Sequence, residues 1–279
     1  MRPPAGLVSF VRTPKARFIG ILLVLAAITA PGASGGTGRA WLTITVAAVT
    51  AALADIALVL LRFRRPRVPD GAVGTGVLLG MILDPSLPLL TIAGVAAGAV
   101  VAKHLVRIGR GHVFNPAAAA LVVAGVAGVS AQSWWGVAEP PPYVPWYVLV
   151  PLLVLAGLFL ADQVNRLPMA GMFLIAYVTL LLIVLLGQGA FTGMAGRVAD
   201  AYQQPFVNGA LFLGLVMLAD PPTSPARRDD QFAYGAVAAV ASVVGLLAGL
   251  VYFLPLGLLA ANGWAAVRRH LRRSVALSR

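Results

Sequence analysis

The chain contains no cysteine, so disulfides, thiolate-held iron–sulfur clusters and c-type haem attachment are excluded. Histidine is nearly as scarce, and His104, His112 and His270 all fall in basic stretches read as loops. A haem held inside a membrane needs histidines facing each other on apolar helices, and the sequence offers none. Acidic residues number 9 against 21 Lys and Arg, and charged residues make up only 11% of the chain. No metal-ligand spacing, nucleophile–His–acid set or Walker loop can be assembled from them. Neither a metal site nor a catalytic residue is therefore expected.

Apolar length is what the sequence has in excess. Of 279 residues, 59% are hydrophobic, and the mean hydropathy is +0.89. Apolar runs of helical length recur at 18–33, 41–61, 71–83, 89–106, 114–131, 145–161, 169–186, 206–219, 232–247 and 250–266. The fold class that follows is all-α, a polytopic membrane bundle of about ten helices. The first run, although preceded by basic residues as in a secretory signal, lacks a small-x-small cleavage site and reads as a retained span. Several runs extend only roughly 20–27 Å at 1.5 Å per residue, and those at 71–83 and 206–219 read as partial spans ending at a Pro-rich break. The stretch 232–266 is too long for one crossing and divides near Gly245 and Gly249. The organisation is a tail at 1–17, a first five-helix unit at 18–131, a short outer loop at 132–144, a second unit at 145–266 and a basic tail at 267–279. In the outer loop, Trp134 and Trp135 suit a membrane–water interface, and Pro140, Pro141 and Pro142 stiffen the connection.

The net charge of +12 is a matter of topology. With ten spans, every Lys and Arg except Arg39 and Arg197 falls on one side. This places both termini in the cytoplasm and the chain in the inner membrane. Membrane lipid, including anionic headgroups, is the expected partner, and nucleic acid is not.

An internal repeat relates the two partial spans. GTGVLLGMILDPSLP (74–88) and NGALFLGLVMLADPPTSP (208–225) each carry spaced glycines, an apolar run, Asp-Pro and a further Pro. Asp84 and Asp220 stand close to half a chain apart. Five spans per unit would invert the halves, with Asp84 outside and Asp220 inside, an arrangement that places ligand or ion sites between the halves.

Three segments have the residues for binding. Asp55, within the second span, reads as a proton or cation relay or cofactor anchor, or equally as a packing partner for Lys103 or a hydroxyl. In KHLVRIGRGHVFNPAAAA (103–120), a basic loop with Gly109 and Gly111 turns at Phe114, Asn115 and Pro116 into an Ala-rich helix that Asn115 caps, with Pro116 at its first position. Lys103, Arg107 and Arg110 beside that N-terminus make an anion seat, or else an ordinary basic loop. In LADPPTSPARRDD (218–230), Asp220, Thr223 and Ser224 at a broken helix could bind a cofactor or ion, or simply form a polar helix end.

These segments carry a resemblance. ALADIALVLLR, DGAVGTGVLLGMILDPSLP, AKHLVRIGRGHVFNPA and LGLVMLADPPTSP, in that order, make the chain similar to the RnfD membrane protein of Rnf electron-transport complexes and the NqrB protein of the sodium-pumping NADH:quinone reductase. Asp55 stands where that family commonly has Glu. The resemblance implies two inverted five-helix repeats, as in urea transporters, and electron transfer through flavins. One FMN of the family is esterified to threonine in an outer [ST]-x-A-T loop. Here that loop is cut short, no threonine occurs between Asn115 and Val178, and Thr192 lacks the Ala-Thr continuation, so covalent FMN is not expected. The implied inner pocket, around Asp55, Lys103, Gly109, Gly111, Phe114, Asn115, Asp220, Thr223 and Ser224, would take non-covalent flavin (FMN or riboflavin) or a quinone. The expected function is a subunit of an electron-transport complex, inactive alone, with iron–sulfur or flavin proteins as partners and ion movement as a further role. The alternative is a non-redox transporter or channel for small solutes or ions using the same fold.

Overall fold

A computed structural model describes residues 13–63, 68–108, 111–129, 131–138, 144–187 and 206–277. Among these the chain is almost entirely helical. The elements are α1 (Pro14–Thr29), α2 (Gly36–Phe63), α3 (Asp70–Ile82), α4 (Leu89–Leu105), a small hairpin of β1 (Arg107–Ile108) and β2 (Gly111–His112), and α5 (Pro116–Val126). There follow α6 (Trp135–Ala138), α7 (Trp146–Gln163), α8 (Leu167–Leu186), α9 (Phe206–Phe212), α10 (Arg228–Leu247) and α11 (Phe253–Leu277). Each apolar run expected from the sequence overlaps a helix, although α1 begins at Pro14, inside the expected tail, and α2 begins at Gly36. Five helical segments, containing α1, α2, α7, α8 and α10, are long and apolar enough to cross a membrane. The helix expected over 114–131 is shorter, at Pro116–Val126, and the last helix continues past 266 to Leu277.

Local chemistry sets the helix ends. Thr13 caps α1, its hydroxyl accepting from the Ala16 N–H, with Pro14 at the first position. After α10, Gly249 takes φ +77°, its N–H donates to Leu246 and the Leu250 N–H to Gly245. This left-handed cap satisfies carbonyls that would otherwise be orphaned, and it divides 232–266 where the glycines indicated. Asn165 does the same after α7 with φ 55°, so that Arg166 turns back toward the bundle. α9 does not stop at Phe212 but widens into a π turn over Leu213–Met217, where the Leu218 N–H reaches the Leu213 carbonyl. Such turns recur at functional sites.

Small residues let the helices approach closely, the usual basis of packing where lipid supplies no hydrophobic drive between them. A Cβ at Gly76 of α3 would lie 2.5 Å from the Ala48 Cα of α2, and one at Gly80 would lie 2.5 Å from the Ile44 Cα. α2 thus packs along α3 and also on α4, while α8 and α11 pack on α10.

The segment expected as an outer loop departs from expectation. Trp134 and Trp135 are 2% and 0% exposed and belong to the core, not to an interfacial belt. The reason is hydrogen bonding: the Asp84 N–H donates to Ala131, the Ser133 and Trp134 N–H groups to Ile82, and Trp135 Nε1 to the Gly80 carbonyl at 2.8 Å. The broken end of α3 leaves carbonyls that this segment fills, and the indoles follow the backbone inward. From the other side, Asn208 Nδ2 of α9 donates to Val137 O at 2.8 Å. Segment 131–138 is a plug between the two shorter helices α3 and α9.

Candidate functional site

Side-chain contacts gather the basic residues at one end of the bundle. Lys15 meets Asp70 at 2.8 Å, Arg17 reaches Gln163, and Arg62 donates to the His104 carbonyl. At that same end Asp55 of α2 is 7% exposed and accepts with one oxygen from His104 Nε2 at 2.8 Å and Lys103 Nζ at 3.2 Å. A carboxylate in an apolar span must be neutralised, and α4 supplies the partners. Three expectations are corrected here. His104 lies in the last turn of α4, not in a loop, because the helix runs to Leu105. Lys103 is turned toward Asp55, so it does not sit beside the α5 N-terminus as an anion seat. His270, likewise, lies within α11.

The α5 N-terminus is itself closed. Asn115 caps it through Ala118 N–H, as expected, but its own N–H donates to Asn262 Oδ1 of α11 at 2.8 Å. Asn262 Nδ2 in turn hydrogen-bonds the hydroxyl of Tyr234 of α10, a fully buried residue, and Tyr234 meets Thr223. Thr223 Oγ1 reaches Asp220 Oδ2 at 3.1 Å, and His112 Nε2 of β2 lies 3.8 Å from that same oxygen. One buried polar line therefore joins the FNPA segment to the ADPPTS segment. Ser224 accepts from Arg166 Nε at 2.9 Å, and Arg166 is 8% exposed with no carboxylate within salt-bridge distance among the described residues. Burial lowers the pKa of this guanidinium, opposed by the nearby Tyr234.

Of the expected site residues, Asn115, Asp220, Thr223 and Ser224 come together. Asp55 and Lys103 form a separate pair on α2 and α4. Phe114 packs toward Gly263, Gly111 lies in the hairpin, and Gly109 is outside the described residues, as is Thr192. Sequence reasoning misses Tyr234, Asn262, Arg166 and the pairing role of His104. Asn262 carries a signal, since an asparagine within an otherwise apolar run is costly unless bonded. At the opposite end Asp84 accepts from the Ser86 N–H at 2.7 Å and from Ser34 Oγ at 3.2 Å, and Arg39 donates to the Pro85 and Leu87 carbonyls. Burial pushes the Asp84 carboxyl up, but the bonds from Ser86 and Ser34 outweigh it and hold its pKa below the usual aspartate value. Its ionised form therefore stabilises the fold at neutral pH, and that contribution is lost as pH falls through the lowered value. Asp84→Asn will be less stable than the parent near pH 7, and the difference will close in strong acid. Paired denaturation curves across that range are the check.

The resemblance implies a flavin or quinone. The cavity beside the hairpin is about 60 Å³, and small-molecule pockets start at roughly 300 Å³. The network behind it is closed, so an isoalloxazine ring does not fit in this cavity. A groove along α4 and α5 has more room, about 340 Å³, lined by Gly94, Gly98, Ala102, Ala120, Val123 and Ala124. Its walls are almost wholly apolar. No protein-family model matches the chain, and no curated protein is a significant match to it. What fold and site define is an all-α protein with helices of membrane-crossing length and one polar line at its basic end.

Proposed function

We propose that this chain is the membrane subunit of an Rnf/Nqr-like electron-transport complex, passing electrons between partner redox proteins and a quinone. The observation that carries the reading is the meeting of the FNPA and ADPPTS segments. Two stretches far apart in sequence, both among those bearing the resemblance, converge through Asn115, Asn262, Tyr234, Thr223 and Asp220. The apolar groove supports quinone as the small-molecule partner. The packing order supports two related halves: α2 lies on α3 and α4, as α8 lies on the π turn of α9 and on α10. Inverted halves with both ends cytoplasmic complete this reading, and the basic end is where iron–sulfur or flavin proteins would dock.

A solute channel is disfavoured by the plug, because Trp134, Trp135 and Phe212 fill the space between the two partial spans. The test is the full chain purified in mild detergent, with bound quinone and flavin extracted and quantified. Quinone is expected to be retained by the parent and lost in Gly98→Leu, a position where an added Cβ meets nothing within 4 Å, so that folding is spared. A chain that retains no quinone, takes no electrons from a reduced flavoprotein and conducts small solutes in liposomes would sink the proposal in favour of the transporter.

A further inference from the structure

The hairpin does more than connect α4 to α5. Together with α11 it encloses the cavity of about 60 Å³, whose walls include Gly111, His112, Ala266, Arg269 and His270. Every ionisable side chain on that wall is basic. The acids nearby are committed elsewhere. Asp230 takes Arg272 in a two-bond pair at 2.6 and 2.8 Å, with Arg268 at 3.7 Å. Arg269 has no such partner among the described residues; its Nε donates to the Ala265 carbonyl of its own helix at 3.2 Å. Asp220 accepts from Thr223, and at 3.8 Å it is too far to hydrogen-bond His112 Nε2, which is buried without a hydrogen-bond partner. Arg269 and His112 thus bring donors to the wall, and the His112 Nε2 is buried with no hydrogen-bond partner to satisfy it, which is costly.

We infer that this cavity is a binding site for a phosphate group, presented by a soluble phosphate compound or by a lipid headgroup at the basic end. A phosphate brings only acceptors, the complement of guanidinium and imidazole donors. The size agrees: the cavity has room for about four water-sized occupants, enough for the phosphoryl group while the remainder of the ligand stays outside. Access is open, since Arg269 and His270 are exposed on α11. The site lies where the anion seat read from the sequence does not. The α5 N-terminus is closed by Asn115 and Asn262, and the donors come from His112 of β2 and Arg269 of α11 instead. It stands apart from the quinone groove and does not depend on redox chemistry.

The test uses the full chain in nanodiscs. One arm, with phosphatidylcholine alone, is titrated with inorganic phosphate against chloride at equal ionic strength and followed by phosphorus NMR. A second arm replaces part of the lipid with phosphatidic acid. Saturable binding is expected in at least one arm: to inorganic phosphate for a soluble ligand, or to phosphatidic acid alone for a headgroup. Arg269→Gln will weaken it about tenfold, the value of one charge-assisted bond. Gly111→Val will abolish it by filling the cavity, and since a Cβ at Gly111 meets nothing within 4 Å, its thermal unfolding will match the parent. Arg268→Gln, whose charge is spent on Asp230, is the control and will bind as the parent does. No saturable binding in either arm, or binding indifferent to both Gly111→Val and Arg269→Gln, overturns the site. Quinone retention in these variants separates this outcome from failure of the electron-transfer proposal.

Discussion

Replacing Asp55 with alanine will destabilise the bundle by about 2–3 kcal/mol, and removing the opposing charge as well will recover much of that loss. The physical reason is asymmetry. In the native fold one carboxylate oxygen compensates both Lys103 Nζ and His104 Nε2. Without it, the ammonium is left largely covered, with its side chain 24% exposed, and must reorient toward the headgroup region. The His104 imidazole, 9% exposed and with Nδ1 already lacking a partner, loses its only side-chain hydrogen bond among the described residues. That partial exposure of Lys103 is why the figure falls below the roughly 3–5 kcal/mol typical of a fully buried pair. Asp55→Ala and Asp55→Ala with Lys103→Met, compared by denaturant unfolding in one detergent, form the experiment. A single variant as stable as the parent would show the pair to be dispensable, whereas recovery in the double variant assigns the loss to the stranded charge.

The second large effect is expected at α2 and α3. Gly80→Val will cost about 3 kcal/mol or more and will shift a large share of the protein into aggregate during purification. The added carbon meets the Ile44 Cα at 2.5 Å and the Ile44 N at 3.0 Å, and backbone cannot rotate aside as a side chain can. The two helices must therefore part along a seam that also includes Gly76 against Ala47 and Ala48. Trp135 donates to the Gly80 carbonyl, so the plug moves with it. Gly98→Ala is the control: nothing lies within 4 Å, and its midpoint should stay within about 0.5 kcal/mol of the parent. Equal behaviour of the two variants would refute close helix approach as the source of the difference.

Helix positions are legible because this chain punctuates them with residues whose backbone chemistry is unambiguous. Asn115 with Pro116, and Gly249, act locally, so their effect can be read without knowing the fold; the start at Pro14, by contrast, lies inside the stretch read as a tail. The site is legible only where polar residues cluster in sequence, as in the FNPA and ADPPTS segments. Tyr234 and Asn262 stand alone in apolar helices, and only packing of α10 on α11 makes them partners. Trp134 and Trp135 mislead for a physical reason: two indoles beside a proline run look interfacial until the unpaired carbonyls of a broken helix draw the backbone inward. His104 reads as part of a loop because of the basic residues around it, although the helical run expected over 89–106 already reaches it, and the helix to Leu105 bears that run out.

The plug also fixes an order of assembly. Trp135 bonds a carbonyl 55 positions earlier in the chain, and Val137 is bonded by a side chain 71 positions later. During synthesis the first contact is available as soon as α6 emerges, but the second must wait until α7 and α8 have been inserted and α9 has followed. Until then the Trp134 indole lacks its edge contact with Phe212. Segment 131–138 is thus tied both to a helix made before it and to one made well after it, so its native contacts are complete only once α9 is in place.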